Sequence, residues 1–333
     1  MANHFIIHGG SALHGAITIR GSKNAASKML IASLLTTEQC IIENIPLSLE
    51  TRIARELCEQ IGSEIELNKI REYTVRTPHI KNSSIPELSR RNRIPILALG
   101  PLLHRNGHAE IPFLGGDPIG HRQIDFHLSA LAHMGVRIEE RAHTYYAEAD
   151  DIHGAEIAFP FPSVGATENV ILTAVLARGT TIIRNAAIEP EIYNMIQMLI
   201  GMGAAIIFDA SSRSITIEGV SRLHGVRHRV MPDRNEAVSF ATAALATKGT
   251  ILLQEIREDH LTAFLGVVQN IGGSYTVVPE GIHITSSSRY APIFLETAPH
   301  PGFMTDWQQP LCILLTQAHG QSILHETVYE DRL

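Results

Sequence analysis

TTIIRNAAIEPEIYNMIQMLIGMGAAIIFDASSRSITIEGV, residues 180–220, decides the fold. A β-branched run opens it and predicts a strand. A Glu-Pro-Glu start then leads into EIYNMIQMLIGMG (191–203), whose apolar residues recur at helical spacing and end at a glycine. AAIIFDA (204–210) and SRSITIEGV (212–220) follow as two short strands around a polar turn. The stretch reads strand, helix, strand, strand.

The same reading recurs along the chain. Apolar strands begin at CIIEN (40), HAEIPF (108), TTIIRN (180), TILLQE (250) and QSILHE (321), about every 70 residues. A second series, IGSEI (61), MGVRI (134), MGAAI (202) and IGGSY (271), interleaves with the first at that period. Each unit starts with an Ala/Leu/Ile-rich helix, as in 24–39 or 235–249, and carries a second amphipathic helix, as in 48–62. The class is mixed α/β, with helices covering sheets. The fifth unit begins at MTDWQQPLCILLTQAHG (304–320) and stops at Leu333 before a second helix. It reads as a truncated unit.

The 333 residues suffice for about two domains. Hydrophobic residues make up 44%, so large cores are available, and a net charge of −7 argues against a general nucleic-acid binder. The 18 histidines are scattered, without HExxH or paired Cys/His clusters, so no metal is expected. Cys40, Cys58 and Cys312 give no disulfide framework, fit a reducing cytosol and are expected in buried apolar packing. With no signal peptide and no spanning apolar run, the expected location is cytoplasmic, with no membrane partner.

Small polar residues precede every first helix: RGSKN (20–24), RRNR (90–93), PSVGAT (162–167), MPDRNE (231–236) and FMTDWQ (303–308). Ser163, Thr167, Asp233 and Thr305 are expected as helix caps. Capping does not explain Lys23, Arg93 and Arg234, because cations oppose the dipole there; an anion at those ends would. The stretch FLGGDPIGHRQIDFH (113–127) is a glycine-rich loop with Asp117 at its centre, His121 and Arg122 after it, and His127 at its end. Its glycines let backbone N–H groups approach a phosphate. Asp117 is either a turn residue or an acid placed to move a proton. Glu189 and Glu191 suit a helix start or a hinge, Trp307 suits packing, and His121 and His127 suit loop support.

GSKNAAS (21), ALGPL (98), GGDPIGHRQIDFH (115), PSVGATEN (162), NAAIEPEI (185), VMPDRNE (230) and TAPHPGFMTDWQ (297), in that order from about residue 5 to 333, resemble the UDP-N-acetylglucosamine 1-carboxyvinyltransferases. The resemblance implies an inside-out α/β barrel of two domains, each of three βαβαββ units. Residues 21–229 would form the complete domain with the catalytic loop; 1–20 plus 230–333 would form a discontinuous, truncated one. It implies transfer of the enolpyruvyl group of phosphoenolpyruvate to UDP-N-acetylglucosamine, with no metal or organic cofactor. Lys23 and Asn24 would contact phosphoenolpyruvate, and Arg93 would line the substrate site. Arg122 would touch phosphate, and Arg122, Gln123, Ile124, Asp125 and Phe126 would wrap the uridine, with Gln123 replacing the usual proline. Ser163, Val164 and Gly165 would hold the diphosphate. Asp306 would take the hydroxyl proton, Val328 would touch the nucleotide sugar, and Arg332 would bind the phosphoenolpyruvate carboxylate. Asp117 stands where most of the family has a reactive cysteine. Anions around a carboxylate keep it protonated, so Asp117 would serve as the acid, with Lys23 and Asp306 as the other catalytic groups. A carboxylate is not alkylated as a thiolate is, so resistance to the epoxide fosfomycin is expected. The alternatives are a truncated inactive paralogue that binds nucleotide sugar, and an enzyme acting on shikimate 3-phosphate. The oligomeric state stays open.

Overall fold

The computed structural model describes residue 4 and residues 6–120 and 124–332. The chain forms two units. The larger comprises Arg20–Met231 with Tyr329–Leu333, and the smaller Met1–Ile19 with Pro232–Val328.

In the larger unit the opening stretch is built as its pattern predicts. Thr180–Arg184 is a strand, Pro190–Gly201 a helix, and Ala205–Asp209 pairs antiparallel with Ser214–Glu218, which pairs antiparallel with Thr180–Arg184. Proline in the first turn has no N–H to leave unbonded, Glu191 there suits the dipole, and Ile192, Met195, Ile196 and Leu199 bury one face. The Asp209 carboxylate accepts from the Ser211 and Ser212 hydroxyls and the Ser211 N–H; those bonds hold its pKa down to about 2.

Among the described residues, six α-helices belong to this unit: α1 (Lys23–Ala32), α2 (Leu49–Ile61), α3 (Leu99–Asn106), α4 (Asp125–His133), α5 (Val164–Ala174) and α6 (Pro190–Gly201). Two of the three leading strands take a parallel neighbour from the chain just before their repeat. Glu156–Ala158 pairs with Thr180–Arg184, and Ser84 bridges to Glu110 beside the strand His108–Pro112. Cys40–Glu43 instead pairs with Arg227–Arg229, which follows the third repeat. The last repeat is thereby hydrogen-bonded to the first, and three repeats close into a ring. Its one core includes Leu30, Leu57, Leu102, Val170 and Met195, all fully buried.

The smaller unit carries α7 (Arg234–Ala246), α8 (Thr262–Asn270) and α9 (Gln308–Leu315). His14–Thr18 pairs parallel with Thr250–Gln254, followed by Gly281–Thr285 and Ser274–Val278 in antiparallel order. Phe294–Glu296 and Ile323–His325 form a separate parallel pair. Its core packs Phe264, Trp307 and Leu311 with Ile282 and Ile284. The mixed α/β class agrees with the expectation. Among the described residues the sheets have four, four, four, three and two strands and none closes on itself, so the ring is one of repeats and not of a closed sheet.

Several local expectations also change. Ser163 and Asp233 do cap, accepting from Ala166 N–H, and from Asn235 and Glu236 N–H. Thr167 does not; it lies inside α5, where its hydroxyl accepts from the Ala187 N–H. Thr305 follows the capping position and donates to Glu326. Arg234 is buried, with its guanidinium 5.5 Å from the Trp307 ring. Cys40 and Cys58 are buried, with burial pushing the Cys40 thiol up to about 11, but Cys312 is exposed on α9.

Candidate active site

Three helical N-termini of the larger unit carry the expected substrate contacts. Ser22 precedes α1 with extended backbone, placing Lys23 and Asn24 in the first turn. Lys23 is half exposed, and its ammonium lies 3.8 Å from Glu50. The Ser27 hydroxyl donates to the Lys23 carbonyl and lies 3.5 Å from the same carboxylate. Ser163 caps α5, with Val164 and Gly165 in its first turn. Arg93 precedes the 3-10 turn Ile94–Ala98, which runs into α3.

His127 lies between two of these, the α5 start and Arg93. It is buried on α4, not in the loop, and Asn169 of α5 donates to its Nδ1 at 3.2 Å. A side chain at Gly165 would put its Cβ 3.2 Å from the imidazole, so glycine lets the two helices approach. Burial first, then the nearby Arg93 charge, lowers the His127 pKa to about 3. A neutral imidazole therefore packs behind the α5 N-terminus.

The glycine-rich loop starts where Phe113 packs on Tyr145, ring centroids 4.9 Å apart. The Gly115 N–H donates to the Asn92 carbonyl, next to Arg93. Asp117 is exposed, and its carbonyl accepts from the Ile119 N–H. The Ile119 carbonyl accepts in turn from Asp331, so the loop and the Arg332 segment meet. Ile124 is half-buried, Asp125 starts α4 exposed, and Phe126 packs on Phe159. His121, Arg122 and Gln123 lie outside the described residues. A cavity of about 360 Å³ lies beside the loop's root, lined by Arg90, Arg91, Phe113 and His143 among others; none of the expected site residues lines it.

Asp306 and Val328 belong to the smaller unit. The Asp306 carboxylate accepts from Asn235 Nδ2 at 3.1 Å, and Asn235 Oδ1 accepts from the Trp307 indole N–H at 2.9 Å. Indole only donates, so this bond fixes the amide's orientation and aims its NH₂ at Asp306. Val328 N–H donates to Glu326. Glu189 occupies the capping position of α6, and Glu191 its first turn. Glu50 and Asn235 were not singled out by sequence. The signal for Asn235 was a second polar residue beside a capping aspartate. Among the described residues no His, Cys, Asp and Glu cluster could hold a metal, and no helix is long and apolar enough to cross a membrane.

The fold is shared with solved enolpyruvyl transferases. The enolpyruvyl transferase NikO from Streptomyces tendae matches with a TM-score of 0.83 at 20% identity, over 96% of this chain and 76% of that one. The chain belongs to the family described as EPSP synthase (3-phosphoshikimate 1-carboxyvinyltransferase), whose model matches residues 7–333. Among its relatives, the UDP-N-acetylglucosamine 1-carboxyvinyltransferase of Protochlamydia amoebophila is 43% identical over 98% of this chain and 72% of its own length. The enzyme of the same name from Chlamydia muridarum is 41% identical over 98% of this chain and 75% of its own length.

Proposed function

We propose that the chain transfers the enolpyruvyl group of phosphoenolpyruvate to the 3′-hydroxyl of UDP-N-acetylglucosamine and releases phosphate, the first committed step of peptidoglycan precursor synthesis. The observation that carries this reading is the 43% identity, over 98% of the chain, to a relative of that name.

The roles follow from the chemistry. The 3′-oxygen bonds to C2 of phosphoenolpyruvate, its proton passes to Asp306, and C3 takes a proton from Asp117. C3 of the tetrahedral adduct then returns a proton as the C2–O bond to phosphate breaks. Asp306 is suited to the base because Asn235 fixes its carboxylate. Asp117 is suited to the acid because it rides a glycine-flanked loop that reaches solvent. Lys23, Asn24, Arg93, Arg122 and Arg332 supply positive charge and donors for the phosphate and carboxylate groups. Ser163, Val164 and Gly165 offer the α5 N-terminus to the diphosphate, Gln123 to Phe126 wrap the uridine, and Val328 touches the nucleotide sugar. No step needs a metal or organic cofactor, and the cytoplasm is where both substrates would be met.

The test is phosphate release from phosphoenolpyruvate with UDP-N-acetylglucosamine, or with shikimate 3-phosphate, as acceptor. Release with the first alone is expected. Release with the second alone would shift the assignment to the shikimate substrate. Calorimetric binding of UDP-N-acetylglucosamine without any release would leave a nucleotide-sugar binder.

A further inference from the structure

α1 and α5 carry proposed substrate contacts in their first turns, and they share a second feature. Lys28 of α1 lies 3.9 Å from Glu168 of α5, and both side chains are largely shut off from water, with 14% and 2% exposed. Lys28 stands five positions after Lys23, and Glu168 five after Ser163. At 1.5 Å per residue, the pair sits about 7.5 Å along each helix from the start of its site segment.

A buried ion pair is a poor device for stability, since an apolar pair of similar volume usually serves as well or better. The surroundings make it poorer still: Glu50, Glu189 and Glu191 all oppose ionisation of Glu168. What such a pair does supply is register, because breaking it strands a buried charge and sliding it weakens the attraction steeply. Other ties among the described residues run to neighbouring helices. Lys23 and Ser27 face Glu50 of α2, and Asn169 faces His127 of α4.

We propose that the buried Lys28–Glu168 pair is a clamp that sets the spacing of the α1 and α5 N-termini, making Glu168 and Lys28 positioning residues for the anionic substrate. The proposal rests on the reading above in naming UDP-N-acetylglucosamine as that substrate. Neither residue touches it. The clamp acts by holding the Lys23–Asn24 turn and the Ser163–Gly165 turn at the separation that a diphosphate sugar and phosphoenolpyruvate together require.

The experiment compares the full chain with Glu168→Gln, Lys28→Met and the exchanged pair Lys28→Glu/Glu168→Lys. Amide hydrogen exchange at residues 24–27 and 165–168 reads the clamp without any ligand, and calorimetry with UDP-N-acetylglucosamine reads its consequence. Each single variant is expected to lose protection at both first turns and to bind about tenfold or more weakly. The exchanged pair is expected to regain most of both. Unchanged protection at the two turns overturns the proposal. So does protection lost evenly across the larger unit, or weaker binding that the exchanged pair leaves unrestored. If the unsubstituted chain binds no UDP-N-acetylglucosamine while the singles still lose protection at both turns, the clamp stands and the substrate assignment falls.

Discussion

Asp117 and Asp306 differ in how firmly the fold holds them. Asp306 is fixed through Asn235 by an indole that can only donate, whereas Asp117 is exposed on its loop. Asp117→Asn is expected to keep the fold and lose about 10²–10⁴-fold in turnover, the usual worth of a general acid, in a phosphate-release assay. Fosfomycin is expected to leave the chain active, and Asp117→Cys to become sensitive to it. Asn235→Ala removes a hydrogen bond to a charged group, worth about 1.5–3 kcal/mol. The bond itself weakens as Asp306 takes its proton, so the expected effect comes from lost aim of the carboxylate: kcat falls roughly 10-fold or more with KM little changed, read in a phosphate-release assay. Glu168 gives a pH prediction. Burial, helped by Glu189, Glu191 and Glu50 and opposed by Lys28, raises its pKa from 4.5 to about 7. A raised carboxyl contributes stability that is fully present below about pH 4.5 and lost as pH rises through about 7, on the order of 3 kcal/mol. Buried His127 acts oppositely in an overlapping window, its pKa lowered from 6.5 to about 3. The total is therefore uninformative and the difference is the measurement. In urea denaturation, Glu168→Gln is expected to gain on the unsubstituted chain between pH 5 and pH 8.

At the scale of single elements, the buried cations and hydroxyls do the joining. Arg105 of α3 donates to the carbonyls of Leu34, Thr36, Thr77 and Pro78, reaching two loops far away in sequence. Arg105→Met is expected to cost about 2–4 kcal/mol in denaturant titration, since those carbonyls lose their common donor. Arg105→Lys should recover only part of that, because one ammonium cannot span the fork of a guanidinium. These joints also mark what the sequence hides. Strand starts at 40, 108, 180 and 250 are legible because a turn, a β-branched run and a following helix are local signals. The caps are half legible. Ser163 and Asp233 bond to N–H groups two or three residues on, but Thr167 reaches Ala187 and Thr305 reaches Glu326. Nothing in a hydroxyl's own neighbourhood says which way it will turn. Lys28 and Glu168 are less legible still, because each looks like an ordinary polar residue on a helix until the fold brings them within 3.9 Å. For the proposed site, resemblance supplied the names of residues, and only the fold revealed Glu50 behind Lys23 and Asn235 behind Asp306.

At the scale of the whole molecule, the period near 70 residues is one structural idea used repeatedly: a leading strand borrows its parallel neighbour from the chain just before its repeat. The larger unit closes this rule into a ring through Arg227–Arg229 and Cys40–Glu43, so none of its three repeats has its leading strand exposed on that side. The smaller unit follows the rule once, with Phe294–Glu296 beside Ile323–His325, whereas Thr250–Gln254 takes His14–Thr18 from the distant start of the chain. Each unit keeps its own core; Leu102 belongs to the first and Leu311 to the second, both fully buried. Deleting either side chain to alanine should cost about 2–5 kcal/mol, depending on how far the site collapses. The cores being separate, the loss should stay where it is made. Leu311→Ala is expected to speed amide exchange across α7, α9 and the strands 250–254 and 281–285, leaving α1, α3 and α5 as protected as before. Leu102→Ala is expected to do the reverse. Equal loss of protection in both units from either substitution would mean that they unfold as one cooperative body despite their separate cores.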